Sequence, residues 1–150
     1  MKIMDIINDN TVFIGLDVNS QEECLKVMAE GMKKAGFVSD ITTYLAAVKE
    51  REAKGSTGIG FEVAIPHGKS DGMVAPGLAF ARLKTPIDWN SLDGSPVHLV
   101  FLIGVPQAAA GDEHIKILIA LSRKLIHSEF REALLAVKSP TDLYQILQDI

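Results

Sequence analysis

A single cysteine, Cys24, stands in 150 residues. An internal disulfide is therefore excluded, and the usage agrees with a reducing compartment such as the cytoplasm. The cysteine sits at helical spacing among apolar neighbours in QEECLKVM and reads as a small buried hydrophobe. No apolar run reaches membrane-spanning length, since LVFLIGV at 99–105 is far too short. The opening residues MKIMDIINDN carry acids where an export signal would carry an apolar core. A basic block or stripe is also missing, and the formal net charge is −4, so a nucleic-acid surface is not expected. Neither HxxxH nor CxxC occurs, which leaves zinc without a recognisable ligand set. The nucleophile elbow GxSxG is absent, and the glycines at 55, 58 and 60 do not form a Walker or dinucleotide pattern.

What remains is an ordinary globular balance, with 47 % hydrophobic and 23 % charged residues. The length suits one domain with one sizeable core, over residues 1–150. Linkers, repeats and low-complexity tracts are lacking, and helix-like and strand-like segments alternate. That pattern predicts α/β or mixed packing. TVFIGLDV (11–18) reads as a strand. Ser20 with Glu23 forms a capping box ahead of a helix that ends near Gly36. A second helix is expected from about Asp40 to Arg51, with Ile41, Tyr44, Leu45 and Val48 facing inward. Further strands are expected at GFEVAI (60–65), GLAFARL (77–83) and PVHLVFLIGV (96–105), the last apolar enough to be central. Asp112 is placed as the cap of a long helix whose buried face is Ile115, Leu118, Ile119, Ser122 and Ile126. Two short helices close the chain, the last capped by Ser139 with Pro140 in its first turn.

Four histidines carry the chemical interest. His98 alternates with Val97 and Leu99 inside a strand and reads as structural. His127 follows the end of a helix, where a cation is favoured without any function. His67 differs, because it follows a strand-like run and Pro66 and is followed by Gly68, which leaves room for a ligand. His114 stands in the first turn of a helix, where unpaired N–H groups favour an anion. Each also has a plain structural reading, and the residues alone leave both open.

Two histidines without a third ligand leave covalent chemistry on histidine open. An imidazole with an unperturbed pKa near 6.5 is a competent nucleophile at neutral pH. A phosphorylated imidazole needs cations and donors around its oxygens and space for an in-line partner. Arg51 can offer a guanidinium fork to such oxygens. Ser56 and Thr57 could donate to them, with turn formation as the competing role.

The stretch REAKGSTGIGFEVAIPHGKS (51–70) closely resembles the IIA domains of the fructose/mannitol class of the bacterial phosphoenolpyruvate:sugar phosphotransferase system. IDWNSLDGSPVHLVFLIGVPQAAAGDEHIKILIALSRKL (87–125) resembles the same family, and its fructose type in particular. The likeness runs from about residue 5 to the end. It implies a three-layer α/β fold, with a mixed central β-sheet flanked by helices on both faces. It implies a phosphotransferase component in which His67 accepts a phosphoryl group from the phosphohistidine of a small phosphocarrier protein. The group then passes to a cysteine of a IIB component. His114 and Arg51 are implied to line the phosphoryl pocket, with Thr57 and Gly68 as further contacts.

No metal or organic cofactor is called for. Partners are implied to be the phosphocarrier and the IIB component, with the membrane reached only through the permease. A stand-alone IIA protein in the cytoplasm is the expectation. A regulatory module of the nitrogen-related IIA type is the alternative, and the sugar is left open. Many relatives carry a small polar pair such as Asn-Gly where this chain has Phe61 and Glu62. An apolar docking rim is expected at Met73, Val74 and Pro76.

Overall fold

The computed structural model describes residues 2–109 and 113–150. Six strands form one mixed sheet: β1 (Val12–Leu16), β2 (Gly58–Gly60), β3 (Val63–Ala64), β4 (His67–Ser70), β5 (Gly77–Ile87) and β6 (Val97–Pro106). The order across the sheet is β1-β5-β6-β3-β2, and β4 takes over from β3 along the same edge of β6. β5 and β6 run antiparallel at the centre, while β1 on β5 and β3 and β4 on β6 are parallel. The helices are α1 (Gln21–Lys34), α2 (Ile41–Ala53), α3 (Glu113–Leu125), α4 (Ser128–Leu135) and α5 (Pro140–Leu147).

Strand alternation builds the layers. On β5, Ala79, Ala81 and Leu83 point to one face and pack with Leu25, Met28, Met32, Tyr44 and Val48 of α1 and α2. Leu78 and Phe80 point to the other, where α3, α4, α5 and the N-terminal Ile3, Ile6 and Ile7 cover them. β6 is buried on both sides from Leu99 to Val105, as expected of a central strand. The architecture is therefore helices, mixed sheet, helices.

The caps read from the sequence are present. Ser20 accepts from Glu23 N at 3.1 Å, although the Glu23 carboxylate reaches Asn19 N instead of closing the box on Ser20. Ser139 accepts from Asp142 N at 3.2 Å, and α1 is followed by Gly36 at φ +88°. The expected Asp112 cap lies outside the described residues.

Three expectations need correction. The buried face of α3 is Ile117, Leu121 and Leu125, with Ile115 (42 %), Ile119 (46 %) and Ile126 exposed. Ile115 and Ile119 repeat at i+4, and so do Ile117, Leu121 and Leu125, so the pattern admits two apolar stripes; packing selects the second, with Leu118 of the expected face partly buried beside it. Met73 is no docking residue: it is buried, with its thioether filling the space above Gly104, while Val74 beside it is exposed. Finally, GFEVAI is not one strand. Phe61 and Glu62 sit at φ +59° and +65° and fold β2 back on β3 through a two-residue turn.

That turn is one an Asn-Gly pair would adopt with little strain. Left-handed backbone costs a side-chain-bearing residue about 1–2 kcal/mol. Both residues make surface contacts in partial return. Arg131 lies 4.4 Å over the Phe61 ring, and Glu62 Oε1 is 2.8 Å from His98 Nδ1. Exposed contacts of these kinds contribute only about 0.5–1 kcal/mol each. The double change Phe61→Asn, Glu62→Gly is therefore expected to stabilise the protein by about 1 kcal/mol in urea denaturation. A lower midpoint would show that the two contacts outweigh the backbone strain.

Candidate functional site

The chain leaves β3 at Ala64, passes through Ile65-Pro66 without a change of register, and continues along the edge of β6 as β4. Pro66 lacks an N–H, but its carbonyl accepts from Ile103 N at 3.0 Å and keeps the edge closed. This places His67 at the first position of β4, opposite Ile103. Alternation along β4 buries Gly68 and Ser70 and leaves His67 and Lys69 half-exposed.

Gly68 does not provide room for a partner, as its sequence context suggests. A Cβ there would lie 3.1–3.3 Å from Val48 N, Val48 Cγ2 and Ala47 Cβ. The missing side chain lets α2 lie directly on β4. Tyr44, one turn earlier on α2, donates to Ile103 O at 2.8 Å and fixes the same contact from inside. Gly68→Ala is expected to cost about 1–3 kcal/mol, the usual range for overpacking, and to slow any reaction at His67 by moving β4 off α2. An unchanged denaturation midpoint would contradict this packing.

Close packing of α2 brings its C-terminal turn beside His67. An open cavity of about 300 Å³ is lined by Ala47, Glu50, Arg51, Lys54, His67, Gly68, Lys69 and Gln107. Three cations against one acid favour an anionic occupant. Arg51 also donates from Nη1 to Gly55 O at 2.7 Å, which ties the guanidinium to the glycine turn after α2.

The tautomer of His67 follows from its one side-chain partner among the described residues. Nδ1 is 3.0 Å from Ile65 O. A carbonyl only accepts, so Nδ1 carries the proton and Nε2 keeps its lone pair in the neutral ring. Burial lowers the His67 pKa below the ordinary histidine value. The Ile65 contact opposes this, the nearby charges of Arg51 and His114 add to the lowering, and Glu52 opposes it. Arg51 shares the cavity with the imidazole. His114 is the second residue of α3 and is half-buried.

Thr57 is placed differently. It is 2 % exposed, its hydroxyl donates to Glu52 Oε1 and accepts from Trp89 Nε1, and it is not among the residues lining the cavity. Ser56 is likewise engaged, donating to Trp89 O at 2.8 Å. Glu52 and Trp89 escaped the sequence reading, because nothing local links positions 52, 57 and 89. His98 is held by Glu62 at the other end of β6 from His67, as a structural histidine. Among the described residues, no group of three or more His, Cys, Asp or Glu could hold a metal ion, and no helix is long and apolar enough to cross a membrane.

His67 is half-buried with Nδ1 engaged by Ile65 O, and Arg51 lines the same cavity, whereas His114 is not among the residues lining it. The family model for the phosphoenolpyruvate-dependent sugar phosphotransferase system, EIIA 2, matches residues 5–150. The chain belongs to this family.

It is 39 % identical over 131 residues to the fructose-specific EIIA component of Haloferax volcanii, covering 87 % of this chain and 84 % of that protein. Over 147 residues it is 35 % identical to the fructose-specific EIIABC component of Bacillus subtilis, covering 98 % of this chain but 23 % of that longer protein. Among solved structures it is similar to the nitrogen regulatory protein IIA-Ntr of Neisseria meningitidis, at TM-score 0.86 and 30 % identity, covering 95 % of this chain and 97 % of that one. The fold is also that of the mannitol IIA domain of Escherichia coli, solved in complex with phosphorylated IIB, at TM-score 0.80 and 21 % identity over 96 % of this EIIA chain and 98 % of the other. The sequence expectation of a mixed three-layer IIA fold therefore holds, as does a general phosphotransferase role.

Proposed function

We propose that His67 is a phosphoryl carrier, loaded on Nε2 by the phosphohistidine of a small phosphocarrier protein and unloaded onto a cysteine of a IIB component. In the first step the P–N bond of the donor breaks, its imidazole leaves, and a P–Nε2 bond forms from the His67 lone pair. In the second step that bond breaks and a P–S bond forms with the IIB thiolate. The observation carrying the reading is the His67 ring itself, held as the Nδ1–H form with Nε2 free beside a cationic cavity. The phosphoryl group brings roughly two negative charges to the ring, which Arg51 offsets, with His114 adding a donor. Gly68 contributes by letting α2 bring Arg51 to the ring.

The fructose class is proposed on the two fructose-specific relatives, and the cytoplasmic side of the membrane as the place of transfer. The test is reconstituted transfer from phosphoenolpyruvate through the two upstream proteins to purified IIB components of different sugar class. Label reaching a fructose-class IIB is expected. A second reading has its own support, in the likeness to nitrogen regulatory proteins of Neisseria meningitidis and, at 33 % identity, Bradyrhizobium diazoefficiens. It predicts that His67 is labelled but no IIB accepts the group.

The lowered pKa gives a pH prediction. Protonation of Nε2 removes the nucleophile, so reactivity is expected to hold at pH 7 and to fail only below the ordinary histidine range. The folded ring binds protons less readily than the unfolded chain does. Stability from this group is therefore present above about pH 6.5 and is lost as the pH falls through the lower folded value. Titration of the His67 Cε1 proton by NMR is expected to give a midpoint under 6.5, and a midpoint above it would contradict burial as the dominant influence.

A further inference from the structure

A buried-side carboxylate beside an anion-handling site needs a reason, and Glu52 is such a group. Its charge opposes the lowering of the His67 pKa and would repel a phosphoryl group, so its presence works against the chemistry electrostatically. Its bonding is nonetheless extensive. Oε2 accepts from Thr57 N at 3.0 Å. Oε1 accepts from the Thr57 hydroxyl and from Trp89 Nε1. Thr57 and Trp89 are each 2 % exposed.

From Thr57 the connections run to the ring. Thr57 O accepts from Ile65 N at 3.0 Å, and Ile65 O accepts from His67 Nδ1 at 3.0 Å. In the other direction, Gly55 N donates to Glu52 O at 3.1 Å, and Gly55 O accepts from Arg51 Nη1. The Glu52 side chain thus anchors the segment that sets the imidazole tautomer, whereas the turn that holds the guanidinium rests on the Glu52 backbone carbonyl.

We infer that Glu52 is a positioning residue: through Thr57 and the Ile65 peptide its side chain holds the His67 ring in the Nδ1–H form. The inference rests on the reading of His67 as phosphoryl acceptor, but its first readout does not depend on transfer.

Two full-chain variants test it. Glu52→Gln keeps the volume but turns an NH2 group toward a set of donors, so one of them loses its acceptor. Thr57→Val removes the hydroxyl and leaves every charge in place. The first readout is the two-bond ¹H–¹⁵N spectrum of the His67 ring at neutral pH. The second is single-turnover transfer from the phosphorylated carrier.

The wild-type ring is expected as the Nδ1–H tautomer alone, and both variants as a mixture. Transfer is expected to fall about 10–100-fold in both, with the half-saturating carrier concentration unchanged, as for misplacement of reacting groups. Charge acting alone predicts the opposite sign, with faster transfer in Glu52→Gln and no change in Thr57→Val. A wild-type ring spectrum in the variants, or transfer within twofold of wild type, overturns the inference. Where Glu52→Gln does not fold, Thr57→Val decides. A wild-type protein that takes no phosphate on His67 defeats the functional reading instead, and the ring spectra still decide the role of Glu52.

Discussion

His67→Ala is expected to take up no phosphoryl label from phosphoenolpyruvate and the two upstream proteins, a loss of at least about 10³-fold in acid-labile phosphate. The expectation follows from the atom lost. Nε2 is the lone pair that the Ile65 contact leaves free, and Thr57, the nearby hydroxyl considered from the sequence, is turned to Glu52 and Trp89. The substitution also empties a half-exposed edge position rather than a core one, so the fold should survive. His98→Asn is the matched control. That histidine is engaged with Glu62 at the far end of β6 and should be labelled like wild type at His67. ³¹P–¹⁵N correlation should place the phosphorus on Nε2. Label persisting in His67→Ala, or phosphorus on Nδ1, would remove the proposed mechanism.

Arg51→Ala is the second large effect. The guanidinium lines the cavity and acts on the His67 ring, and it reaches its place because α2 ends there against the glycine turn. Removing a preorganised charge at a developing anion commonly costs about 10²–10³-fold in rate. A loss of that order in the first-order transfer step is expected, with little change in the carrier concentration needed for half-saturation. Arg51→Lys should fall between, since the charge stays but the fork is lost. Because Arg51 lowers the His67 pKa, its removal should also move the acid limb of the profile to higher pH. A pure rise in half-saturating concentration, with the transfer step intact, would make Arg51 a docking residue instead.

The two positions most central to the proposed reaction were legible early because their signals are local. PHG marks a histidine after a chain break, and the arginine precedes a glycine turn by a fixed short distance. Strand type, helix caps and the apolar centre of β6 were legible for the same reason: periodicity and capping act over a few residues. The α3 face was misread because a helix rich in Ile and Leu presents more than one apolar stripe. Met73 was misread because its burial depends on Gly104, which lies 31 positions away and leaves the gap that the thioether fills.

The chain's own order of residues determined that a nucleophilic histidine, an arginine and a capped set of helices and strands would exist, since each depends on neighbours within a turn or two. Only the tertiary structure decided that Ile65 O engages Nδ1 of that histidine, that Gly68 lets α2 pack on β4, and that Glu52 bonds to Thr57 and Trp89. Those outcomes depend on contacts between segments tens of residues apart, where direction and distance are set by the packing of α2 on the sheet edge and leave no trace in local spacing.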